Sequence, residues 1–149
     1  MPGGYVIDQT RSIVLSRAWG ILKDSELLAH ARALAADPRF APHLNQLSDF
    51  LEVTEFQVST AVVREMVTLS PFGAGARRAL VVGADVGFGL ARMFQIMRDP
   101  SPDEIQVCRD LDSALQWLGV AGDKQAVLSA LSDVPAMFVD ESDPPARSH

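Results

Sequence analysis

The stretch "TEFQVSTAVVREM" (Thr54 to Met66) places two hydroxyl residues, Ser59 and Thr60, side by side where an irregular segment gives way to a helical pattern. Two chemistries suit such a pair. A serine there can accept a hydrogen bond from the amide two or three residues on and so start the helix. A phosphate added there would meet the free amides and the positive end of the helix dipole. A rival start lies at Thr54, because Thr54 and Gln57 have capping-box spacing and Val53 with Val58 would form the staple. The apolar stripe of Val62, Val63, Met66 and Val67 becomes regular only from Val62, which places the start at Ser59.

Elsewhere the reactive residue types lack the company that chemistry requires. Metal sites need several convergent ligands, and His30, His43 and His149 are scattered without ligand spacing, so no metal and no cofactor is expected. His30 stands among polar positions of its helix and reads as a solvated side chain. Cys108 closes an apolar run and reads as a buried structural thiol, with no base motif or "GxSxG" elbow to make a nucleophile of it or of any serine. Asp110 and Asp112 fit a helix N-terminus, where acids interact favourably with the dipole. The glycines of "GADVGFG" match neither the dinucleotide fingerprint nor the phosphate loop. Gly87 and Gly89 fall inside a helix, where each costs up to about 1 kcal/mol relative to alanine. Close packing against a sheet would offset that cost, and both are expected to be packing glycines.

The elements that must position these residues follow from periodicity. "YVID" and "SIVLSRAW" read as strands joined by the polar connector "QTR", an opening hairpin. "DSELLAHARALAADP" is a helix with Asp24 or Ser25 as cap and Pro38 as its stop. "LNQLSDF" reads as a strand, "ALVVG" as a strand covered on both faces, "DVGFGLARMFQIMRD" as a helix and "IQVC" as a strand. "DLDSALQWLG" is a helix capped by Asp110 and stopped by Gly119, and "DKQAVLSALSDV" one more short helix. Strand-helix-strand order with a leading hairpin predicts an α/β fold with a mixed sheet. Residues 1–134 form one expected domain, and the polar, proline-containing tail 135–149 is expected to be disordered.

Composition narrows the function. The chain has 149 residues, the size of one ordinary domain, and 48% hydrophobic content, enough for a globular core. Nineteen acidic against thirteen basic residues leave a net charge of -6, and no basic cluster exceeds Arg77-Arg78. Nucleic acid and anionic membrane surfaces are therefore not expected partners. A single cysteine fits a reducing cytoplasm, and neither a leader nor a membrane-spanning run is visible.

From Tyr5 to Gly119 the chain resembles the SpoIIAA-like group of STAS-like domains, through "RAWG", "LSDFLEVTEFQVS", "RRALVVGADVGFGLARMF" and "VCRDLDSALQWLG". The resemblance implies a four- to five-stranded mixed sheet that opens with an antiparallel hairpin, helices mainly on one face, and a non-enzymatic domain. Bacterial anti-sigma-factor antagonists of similar fold use a serine at the start of the second helix as a phosphorylation switch, and Ser59 or Thr60 corresponds to it by position. Those antagonists carry an Asp-Ser pair followed by Ser or Thr and Gly, where this chain reads Gln57-Val58-Ser59-Thr60-Ala61. The expected function is a regulatory protein-interaction module, with a protein partner or a second copy as its target. The alternative, implied by related lipid-binding domains and by the methionine and aromatic content of "GFGLARMFQIM", is a small-ligand or lipid-binding domain with an apolar cleft between sheet and helices. Asp49, Ser59, Thr60, Gly87 and Arg92 are the candidate regulatory or ligand-contact residues.

Overall fold

The computed structural model describes residues 3–137. Two strands open the chain, β1 (Gly3–Asp8) and β2 (Ile13–Lys23), paired antiparallel. Three strand-helix-strand units follow: α1 (Asp24–Ala36) leads to β3 (Asn45–Gln57), α2 (Thr60–Leu69) to β4 (Arg77–Val81), and α3 (Asp85–Arg98) to β5 (Glu104–Cys108). Two shorter helices close the fold, α4 (Leu111–Leu118) and α5 (Lys124–Ser132). The strand order is β1-β2-β3-β4-β5, with every pair after the first parallel. This is the mixed α/β sheet that the element order and the resemblance implied.

The helices take their sides for a physical reason. Each parallel step moves one strand further across the sheet in the same direction, so right-handed crossovers deposit α1, α2 and α3 on the same face. Among the described residues no strand follows β5, and α4 and α5 fold back over the other face. There Ile13, Leu15, Leu47, Ala79, Val81 and Cys108 meet Ala114, Leu115 and Leu118 of α4 and Val127 and Leu131 of α5. Trp117 packs at the edge of that cluster. Because side chains alternate along a strand, the residues between these (Val14, Ser16, Gln46, Ser48, Arg78, Leu80) turn to the three-helix face.

The helix ends match their sequence signals with one exception. Asp110 accepts from Ser113 N at 2.7 Å to start α4, and Gly119, at φ 77°, ends it in the left-handed conformation that glycine tolerates. Ser59 caps α2 through Val62 N at 3.2 Å. At α1, however, neither Asp24 nor Ser25 is the cap. Lys23 takes that position, its amide donating to Glu26 Oε1 at 2.9 Å, while Asp24 turns away to accept from Ser59 N at 2.8 Å.

β3 runs well past the predicted "LNQLSDF", to Gln57, so the rival helix start at Thr54 lies within a strand. Its outer half pairs with an equally extended β2, across register shifts at Arg17/Trp19 and Gly20/Ile21. Such bulges bend and twist a strand pair. Here the outer halves bring Leu22 and Phe56 together with Phe50, Leu27 and Val58 beside the three-helix face. Of the expected tail, residues from 138 on, including His149, lie outside the described residues, whereas Met137 N donates to Gly3 O at 3.0 Å.

Candidate functional site

Between the sheet and α1–α3 lies a cavity of about 140 Å³. Its floor is the sheet face carrying Ser16 and Ala18 of β2, Gln46 and Ser48 of β3, and Arg78 and Leu80 of β4. Helix α1 contributes Glu26, His30 and Leu34, α2 contributes Val63 and Met66, and α3 contributes Gly87, Leu90, Ala91 and Phe94. The outer strand halves close one end with Leu22 and Phe56, and Phe72, from the loop after α2, stands at the other. The walls are mainly aliphatic and aromatic, with a few polar groups set among them.

Those polar groups form a chain across the sheet. Gln46 lies opposite Arg78 in the β3–β4 register. Its amide nitrogen donates to Ser16 Oγ at 3.1 Å, and its oxygen accepts from Arg78 Nε at 3.1 Å. Arg78 Nη1 donates to Ser70 Oγ at 2.7 Å and to Asp103 Oδ2 at 3.2 Å. Asp103, fully buried, accepts in turn from Arg98 Nη2 at 2.8 Å. The Arg78 guanidinium lies over the rings of Phe72 (4.3 Å) and Phe94 (5.3 Å), a favourable place for a cation. Burial pushes the Arg78 guanidinium down to about 10 against the supporting charge of Asp103, and it stays charged at neutral pH. Burial pushes the Asp103 carboxyl up, but Ser101, Arg78 and Arg98 overcome it and hold the group below its ordinary range.

His30 corrects the expectation of a solvated side chain. Its ring meets Tyr5 edge-on at 5.3 Å, and its Nε2 is buried with no hydrogen-bond partner among the described residues. Burial pushes the ring down to about 4, with the Arg78 charge acting in the same direction, so the imidazole is neutral at pH 7. A buried polar atom without a partner is uncommon in folded proteins and calls for an explanation. The other such atom among the described residues, Arg98 Nε, belongs to the neighbouring ion-pair network.

The candidate residues from the sequence divide into two groups. Asp49 and Gly87 line the cavity. Asp49 is buried, accepts from Leu51 N at 2.9 Å, and is raised from its ordinary value by burial, with Arg17 pulling against that. Gly87 packs so closely that a Cβ would stand 2.5 Å from Phe56 Cε2 and 2.6 Å from Val82 Cγ1. Ser59, Thr60 and Arg92 lie on the exposed surface, Arg92 donating to Gln95 Oε1 at 2.6 Å. Gly89, expected to pack closely as well, is exposed and a Cβ there would meet nothing within 4 Å. Cys108 is buried beneath α4, and burial raises its thiol.

Sequence reasoning missed Ser16, Gln46, Ser48, Arg78 and His30. A signal for the first four was present: they share strand parity with Val14, Ala18 and Leu80, so period-two alternation turns them inward with the core. Among the described residues no group of three or more His, Cys, Asp or Glu side chains is placed to hold a metal ion, and no helix is long and apolar enough to cross a membrane.

No protein-family model and no curated protein matches the chain. Among solved structures, it is similar to an uncharacterised protein of the DUF3478 family with a SpoIIAA-like fold, from Shewanella loihica PV-4. That similarity has 20% sequence identity and a TM-score of 0.49, and covers 78% of this chain and 91% of that one.

Proposed function

We propose that this chain is a non-enzymatic binding domain that takes a small, largely apolar ligand between its sheet and α1–α3. The observation that carries this reading is the cavity itself, with a buried ring nitrogen left unpartnered in its wall. Protein interiors normally close such spaces, and a space of about 140 Å³ left unfilled leaves its lining without part of its packing contacts. An occupant recovers those contacts. Apolar cavities of this size are known to accept molecules of about the volume of benzene.

A phosphate switch at Ser59 finds less support. The Ser59 amide already donates to the Asp24 carboxylate, so a phosphate on the neighbouring hydroxyl would face a negative charge at the end of α2.

Thermal unfolding in the presence of toluene tests the proposal. The melting temperature is expected to rise saturably with toluene, as for any ligand that binds only the folded state. Ala91→Leu, which places a larger side chain into the cavity, is expected to keep the fold and lose the response. A wild-type protein whose melting temperature toluene leaves unchanged contradicts the reading.

A further inference from the structure

We propose that the natural occupant of this cavity carries a carboxylate held between His30 and Arg78, which makes the ligand class a small monocarboxylate whose apolar body is roughly benzene-sized. The inference rests on the cavity reading above and adds the chemistry of the headgroup.

Two residues that line this space each have a donor without a hydrogen-bond partner among the described residues. Arg78 uses Nε and Nη1 on Gln46, Ser70 and Asp103, and its Nη2 has no hydrogen-bond partner among the described residues. The His30 Nε2 is the other, and in one neutral tautomer it carries a proton to donate. Both residues line the cavity, and each senses the other, since the Arg78 charge disfavours a second positive charge on His30. A carboxylate accepts from the neutral His30 Nε2–H and pairs with the Arg78 guanidinium, which satisfies both groups. Guanidinium and carboxylate are matched in shape and charge.

Local charge limits the headgroup to a single negative charge. Arg78 and Arg98 share one carboxylate, Asp103, so among the described residues one positive charge in that cluster has no ion-pair partner. Two further carboxylates line the cavity, Glu26 bonded to the Lys23 amide and Asp49 to the Leu51 amide; neutral amides do not cancel their charge, which weighs against a headgroup with more than one negative charge. A doubly charged phosphate would exceed what one unbalanced guanidinium compensates. Leu80, Phe94 and Phe72 border the same space and suit an apolar body.

Calorimetric titration with benzoate, benzyl alcohol and toluene, three probes of similar body and different head, tests this. Benzoate is expected to bind at least about tenfold more tightly than benzyl alcohol, as a charge-assisted pair would. His30→Phe is expected to shrink that preference while leaving toluene affinity within about twofold, since the aromatic contact with Tyr5 is retained. In the unmodified protein labelled with nitrogen-15 at histidine, the His30 ring signal is expected to move saturably with benzoate and little with toluene. Toluene binding combined with benzoate no tighter than benzyl alcohol, or with a His30 signal indifferent to benzoate, overturns the carboxylate assignment and leaves the cavity reading standing. Failure of all three probes to bind overturns both.

Discussion

Two glycines two residues apart in α3, about 200° around the helix from each other, should respond to the same substitution with opposite signs. At Gly87 a new Cβ would lie 2.5 Å from Phe56 Cε2 and 2.6 Å from Val82 Cγ1, well inside ordinary contact distance. Phe56 is only partly buried and borders the cavity, so its ring has room to give. Val82 does not: it is 1% exposed, and a β-branched side chain is stiff at χ1. Overpacking of this kind costs about 1–3 kcal/mol, and the better helix propensity of alanine returns up to about 1 kcal/mol. Gly87→Ala is therefore expected to destabilise by about 1–2 kcal/mol, lowering the melting temperature by roughly 2–8 °C. At Gly89 nothing lies within 4 Å of the new methyl group, and only the propensity gain of about 0.5–1 kcal/mol remains. Differential scanning calorimetry of both variants against wild type measures the pair. Equal stabilisation by the two substitutions would refute the close-packing argument for Gly87.

Further expectations concern the cap, the network and pH. Ser59→Ala removes the acceptor for the Val62 amide and should cost about 1 kcal/mol in urea unfolding; an unchanged midpoint would show that the cap contributes nothing. Asp103→Ala leaves two buried guanidinium groups without their shared carboxylate and should cost about 3–5 kcal/mol in the same assay, so a loss below about 1 kcal/mol contradicts the network as described. His30 is depressed from 6.5 to about 4, so between those values the unfolded chain binds the extra proton and stability rises with pH. Its contribution is complete above pH 6.5 and lost as pH falls toward 4, at most on the order of 3 kcal/mol. Urea midpoints across that window should flatten in His30→Gln relative to wild type, and parallel curves would contradict the assignment.

The order of elements was legible because strand and helix periods alternate cleanly along the chain, and Asp110, Gly119 and Ser59 are local signals whose effect does not depend on distant residues. The outer half of β3 was not. In "EVTEFQ" only Val53 and Phe56 are strongly apolar, and Thr54 with Gln57 imitates a capping box; what makes the segment a strand is pairing with the extended β2. His30 was misplaced for a related reason. Its chain neighbours Ala29 and Ala31 are small, and its burial depends on Leu27 and Leu34 one turn away on either side, on Tyr5 from an edge strand and on the sheet beneath. Gln46 and Arg78 look like interruptions of apolar strands until the register sets them opposite each other, where each satisfies the other. Gly87 and Gly89 are alike in one dimension, and only the approach of Phe56 and Val82 separates them.

The central claim is that the space between the sheet and α1–α3 is an accessible binding cavity, and diffraction from crystals of the protein held under xenon pressure tests it most directly. Xenon enters dry apolar cavities of about this volume. The account predicts a strong xenon peak bounded by Leu80, Ala91 and Phe94, absent in Ala91→Leu. A wild-type crystal with no xenon there, its side chains closed over the space, would contradict it.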